Sequence, residues 1–220
     1  MTFQPGWKYI QYPKFKSIVG NNRAPVMYIE YSKGIPGIAN SVSDFDKWEL
    51  GLGHTLRLKM LGILNYAVKG GGFLNDNHVA IPDRKHLNGN RTILAGSYLN
   101  TFQLASYYNY ANTAPIYGQL HAEWLMSGFL SNKIPLFKRL NWHFLAGTNS
   151  FYVNQNSYYA EVFVGMNNIG FNMYRLFRVD AVFGYESGIA KPTFGIRLGL
   201  NLKGSMNTND DGGGSISIGL

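Results

Sequence analysis

The stretch Ile116–Leu130, IYGQLHAEWLMSGFL, constrains the fold more than any other part of the chain. Its even positions are all apolar or glycine: Ile116, Gly118, Leu120, Ala122, Trp124, Met126, Gly128 and Leu130. The odd positions include Gln119, His121, Glu123 and Ser127. Side chains alternate across a strand with a period of two, so this is one long strand with an apolar and a polar face. Strands of soluble sheets usually stop after about 5–6 residues, whereas a tilted strand crossing a bilayer needs about 9–11 in the apolar zone.

The pattern recurs along the chain. Trp48, Leu50, Leu52, Leu56, Leu58 and Met60 oppose Lys47, Glu49, Gly51, Gly53, Thr55, Arg57 and Lys59, with His54 intruding on the apolar side. Leu140, Trp142, Phe144 and Ala146 oppose Arg139, Asn141, His143 and Asn149. Tyr158, Ala160, Val162, Val164 and Met166 oppose Glu161 and Gly165. Phe177, Val179, Ala181, Phe183 and Tyr185 oppose Arg178, Asp180 and Glu186, and Phe194, Ile196, Leu198 and Leu200 oppose Gly195, Arg197 and Gly199. With a strand over about 92–110 and short ones at Trp7–Tyr12 and Pro25–Tyr31, about ten strands follow one another through hairpins, with no amphipathic helix between them. The fold class is all-β, an antiparallel up-and-down meander. A polar loop rich in Gly and Asn is expected at 70–91, inside a barrel domain of 1–202. Residues 203–220 read as a polar, Gly-rich tail whose last residues, SISIGL, alternate as a short last strand.

Composition sharpens the class. Only 15 % of residues are charged, against about 25 % in a typical soluble domain, while Tyr, Phe and Trp reach 15 % and Gly numbers 26. No run of about 18 apolar residues is present, so a transmembrane β-barrel is expected rather than a helical membrane protein. The mean hydropathy of −0.13 fits a barrel and a soluble β-sandwich equally. Absence of Cys excludes disulfides and thiolate metal sites. The net charge of +8 comes from basic residues scattered through the sequence without a recognition helix, so nucleic acid is not an expected partner. The opening MTFQPGWKYIQYP has no signal-peptide pattern, which leads one to expect a mature chain or the C-terminal part of a larger one.

The polar faces carry the residues with possible chemistry. His121, Glu123, Arg139, His143, Glu161, Arg178, Asp180 and Arg197 are candidates for the lining of a polar lumen, where charges of opposite sign pair across strands. Arg178 and Asp180, two apart on one face, are expected to form an internal ion pair. Trp48, Tyr108, Trp124 and Trp142 are candidates for the lipid-facing surface or its interfacial girdle. His121 and His143 have no second His at ligand spacing, and Gly70–Gly72 lacks the Lys-Ser/Thr of a phosphate loop, so no metal, cofactor or enzymatic activity is expected. The alternative of a lipid-modifying hydrolase would need Ser127, His143 and Asn141 to converge. A soluble lipocalin-like barrel with an apolar interior is the other alternative.

From Leu99 onward the sequence resembles a known family. SYLNTFQL, IYGQLHAEWLMSGFLSNKIPLFKRLNWHFLAG, YYAEVFVGMNNIG, MYRLFRVDAVFGY and FGIRLGL are similar to the C-terminal barrel of an outer-membrane family without an assigned function. Upstream, KGGGFLNDNHVAIPDRKHLNGNRT resembles a loop of that family, in which a Gly-rich segment leads to Pro and then a Gly-Asn pair. Members carry a carboxypeptidase-regulatory-like (Ig-like) domain ahead of the barrel. More distantly, the family resembles barrels that insert or secrete proteins across outer membranes. The resemblance implies a bacterial outer-membrane location and a role in envelope transport or biogenesis, as a pore or scaffold for passage of protein or lipid. It implies outer-membrane lipid, envelope proteins and the N-terminal part of the same protein as partners.

Overall fold

The computed structural model describes residues 1–6, 8–19, 24–37, 40–106, 111–126, 133–154, 157–171, 174–188 and 191–200. Its strands, in chain order, are β1 (Thr2–Phe3), β2 (Lys8–Gln11), β3 (Lys16–Val19), β4 (Val26–Gly34), β5 (Asp44–Arg57) and β6 (Ile63–His78). They continue with β7 (Tyr117–Met126), β8 (His143–Asn154), β9 (Ser157–Phe171), β10 (Tyr174–Glu186) and β11 (Thr193–Leu200). The one α-helix among the described residues, α1 (Pro135–Leu140), precedes β8, and short 3-10 turns lie at Lys59–Leu61 and Ile81–Asp83. Nine strands form one antiparallel sheet in the order β1-β4-β5-β6-β7-β8-β9-β10-β11, and β2 and β3 form a separate hairpin. The expected antiparallel meander is therefore present. Its two edges, β1/β4 and β11, are not paired with each other among the described residues.

Strands β5 to β11 alternate an inward and a more exposed face, and the inward face carries the buried charged and polar residues together with aromatic ones. Along β9, Tyr159, Glu161 and Phe163 are buried, with Glu161 only 1 % exposed, while Val162 and Val164 are each 55 % exposed. Asp180, Asn149 and His121 are fully buried on the neighbouring strands, whereas Leu120, Phe183, Ile196 and Leu198 face outward. The sheet must also curl. Arg178 on β10 reaches Glu123 on β7 at 2.6 Å across β8 and β9. Three flat interstrand steps would span about 14 Å, beyond comfortable reach of the two side chains.

Three sequence expectations are corrected. The loop expected from residue 70 begins later, because β6 runs through the glycines to His78. At Gly72 a Cβ would lie 1.8 Å from the Pro115 carbonyl oxygen, so the residue serves close backbone approach rather than a turn. The strand expected over 92–110 is absent among the described residues there, which belong to a long excursion between β6 and β7 whose residues 79–106 lie over the buried face of the sheet. Its backbone amides at Gly96, Gln103 and Leu104 donate to side chains instead of to a ladder. Finally, the strand expected from Leu140 starts at His143, after α1. Pro135 sits in the first turn of that helix, where its missing N–H costs nothing, and Asn141 ends it in the left-handed region at φ 56°.

Candidate functional site

The inward face of β5 to β11 and residues 79–106 of the excursion form one continuous polar and aromatic assembly. Its centre is Glu161. The carboxylate accepts from the Gln103 amide at 2.8 and 2.9 Å, the Leu104 amide at 3.1 Å, Asn149 Nδ2 at 2.6 Å and the Tyr159 hydroxyl at 2.6 Å. Arg197 Nε and Nη2 donate to the Gln103 carbonyl at 2.8 and 2.6 Å, so a cation and an anion of the wall hold one peptide unit between them. The Gln103 side chain then fixes the excursion internally, accepting from the Gly96 amide at 3.0 Å. His121 joins this network through Asn149, with Nδ1 and Oδ1 3.0 Å apart.

A second anchor lies on β10. The Tyr98 hydroxyl donates to Asp180 Oδ2 at 2.6 Å, and Arg178 Nε donates to the same oxygen at 2.7 Å. The Arg178 guanidinium lies 3.9 Å over the Tyr98 ring, whose other contact is Phe163 at 4.4 Å between centroids. Burial, together with the Asp180 carboxylate, raises the Tyr98 phenol above its ordinary value, so it remains a donor. Gly165 leaves room for this cluster, since a Cβ there would fall 2.0 Å from Asp180 Oδ1.

The third anchor is Glu49 on β5, which pairs with Lys85 of the excursion and accepts from the hydroxyls of Tyr28 and, at 2.6 Å, Tyr117. Lys69 adds a bond to Asn100 at 2.6 Å. Between the anchors, Phe102 is fully buried against His121, Phe151 and Tyr159, with centroid distances of 4.8, 5.0 and 5.8 Å. At the far edge the Ala95 amide donates to the Leu198 carbonyl and the Leu198 amide to the Ile93 carbonyl, both at 2.8 Å. The excursion thus spans from β5 to β11, where Leu94 forms a parallel bridge with Leu198.

Of the lumen candidates, His121, Glu123, Glu161, Arg178, Asp180 and Arg197 belong to this assembly. Arg139 does not: it is exposed in the last turn of α1, because Pro135 starts a helix where a strand was expected. His143 lies at the start of β8, paired in register with Asn167 and away from the Glu161 network. Trp48 and Trp124 share the outward parity of β5 and β7, and Trp124 Nε1 donates to the Leu61 carbonyl at 2.8 Å; Trp142 lies between α1 and β8, 5.9 Å from Phe137. Tyr108, Ser127 and 203–220 lie outside the described residues. Asn141, proposed with Ser127 and His143 for the hydrolase, is the exposed C-cap of α1. No group of three His, Asp or Glu side chains among the described residues could hold a metal.

The residues that sequence reasoning missed are Glu49, Lys69, Lys85, Tyr98, Phe102, Gln103 and Asn149. Glu49, Lys69 and Asn149 carried a usable signal, because each is polar on an otherwise alternating strand. Gln103 carried none. The assembly can hold a long segment rigidly against a curved wall.

A comparison with curated proteins returned no match, and one with solved structures returned none either. Residues 1–166 match the C-terminal domain of a family of unknown function, DUF5686, and the chain belongs to that family.

Proposed function

We propose that this domain is part of the wall of a bacterial outer-membrane β-barrel whose lumen is occupied by residues 79–106 of the excursion. Its role is in envelope transport or biogenesis, as a pore or scaffold for passage of protein or lipid. One observation supports this reading above all: the sheet hides its carboxylates and displays its aliphatic side chains. Leu200, Ile196, Leu198, Phe183, Val162, Val164 and Leu120 stand on adjoining outward positions, while Asp180 and Glu161 are buried. In water such a face would exceed the few hundred Å² of contiguous apolar surface usual for a monomer. In lipid it is the expected outer wall, and the polar face is the expected lumen. Trp48 toward one end of β5 and Trp124 toward the opposite end of the wall suit an interfacial girdle.

In this reading the open edges are closed by further strands of the same protein, as a barrel in lipid requires. The sequence resemblance supplies them, with an Ig-like domain ahead of the barrel. Outer-membrane lipid and envelope proteins are the partners. The lipocalin-like alternative fits less well, because it needs an apolar interior and the buried face here is charged.

Planar-bilayer conductance of the full-length protein tests the reading. The intact protein is expected to conduct little and a variant lacking 84–111 to conduct strongly. Failure of the full-length protein to insert, or a monomer freely soluble without detergent, would overturn it.

A further inference from the structure

Basic residues that lie far apart in the sequence are gathered at one end of the sheet. That end carries the segment before β4, the β5–β6 turn, the β7–β8 connection with α1 and the β9–β10 turn. Lys14, Lys16, Arg57, Lys59, Lys138 and Arg139 are all exposed there. The sequence contains no Asp or Glu over 1–29, 50–75, 124–160 or 162–179, so none of these connections carries an acid. At the opposite end Asp44, Asp46, Asp76, Asp83 and Glu186 mingle with the basic residues. Lys33, for example, is paired with Asp46 at 3.0 Å.

Apolar side chains stand among the cations. Tyr9, Tyr12, Phe15, Met60, Leu61 and Ile134 are all large and exposed at this end. The β2–β3 hairpin presents two of them at its tip, where Tyr12 and Phe15 stack at 4.8 Å and the Tyr12 amide donates to the Phe15 carbonyl at 2.9 Å. Lys16 lies over the Tyr9 ring at 5.2 Å. Cations alone would fit any polyanion. Cations interleaved with exposed aromatic and aliphatic groups fit the headgroup layer, where rings enter the acyl boundary and ammonium groups meet phosphates.

We infer that this end docks onto phosphate-bearing anionic lipid headgroups, fixing the domain's depth and orientation at one membrane surface. The inference rests on the membrane reading above and deepens it by naming the lipid class. Near an anionic surface each exposed Lys or Arg strengthens binding about several-fold, so four of them exceed a tenfold effect even when partly screened.

The test is co-flotation of the full chain with vesicles of phosphatidylcholine alone or mixed with phosphatidylglycerol, with heat-modifiable gel mobility read in parallel. The wild type is expected to bind the phosphatidylglycerol vesicles at least about tenfold more tightly, with the preference fading at high salt. The variant K14Q/K16Q/K138Q/R139Q should lose that preference. The variant K33Q/R84Q/K191Q, with charges removed at the other end, should keep it. Equal binding to both vesicle types, equal loss in both variants, or retention of heparin but not of phosphatidylglycerol would overturn the inference. Loss of the heat-modifiable form in the wild type would instead overturn the membrane reading.

Discussion

Val162 and Glu161 are neighbours in sequence and opposites in surroundings. Glu161 is hidden and receives donors from two strands and from the excursion, whereas the Val162 side chain stands outward with no polar partner. In a soluble sheet the two would exchange places. The difference teaches that the specificity of this fold lies in the polar interior, where each charge has a directed partner, and that the apolar face needs only to be continuous.

The largest expected effect comes from breaking the interior. Glu161→Ala removes the acceptor for the Gln103 and Leu104 amides, Asn149 and Tyr159, leaving several buried donors unsatisfied at once. A loss of about 3–5 kcal/mol is expected in guanidinium unfolding of the chain folded in vesicles. Val162→Lys attacks the other face. It should cost about 2–4 kcal/mol if that face meets lipid near the midplane, but less than about 0.5 kcal/mol if it meets water. Tyr98→Phe keeps the ring between Arg178 and Phe163 and removes only the bond to Asp180. About 1.5–3 kcal/mol is expected, with protease cleavage within 79–116 accelerated, because that anchor is the one lost. Gly165→Ala follows at about 1–3 kcal/mol, since both the Asp180 side chain and the Val179 carbonyl, 2.5 Å from the added carbon, must shift. A double-mutant cycle of Gly165→Ala with Tyr98→Phe should be non-additive, as both act on Asp180.

Much of this was legible in the sequence. Alternation over Ile116–Leu130 and its repeats marked the antiparallel strands and assigned Glu161, Asp180 and Arg197 to one face. Spacing of two residues was enough to pair Arg178 with Asp180, which lie 2.7 Å apart. The excursion was not legible. Residues 92–106 resemble a strand in composition, yet their amides are satisfied by Glu161 and Gln103, partners far away or local in ways that periodicity does not encode. Arg139 was misplaced because one proline turned an expected strand start into helix. The basic end was invisible for a different reason: Lys16, Arg57 and Lys138 are distant in sequence, and only the meander's topology brings their connections together.

The chain contains no cysteine, so single cysteines can be placed along β9 and spin-labelled without background. Accessibility of labels at residues 160 to 165 to oxygen and to a water-soluble nickel chelate, in vesicles, tests the central claim most directly. Labels at Ala160, Val162 and Val164 should collide freely with oxygen and hardly with the chelate, and those at Glu161 and Phe163 should be shielded from both. High chelate accessibility at Val162 and Val164, equal to that of an exposed loop, would contradict the assignment of this face to lipid.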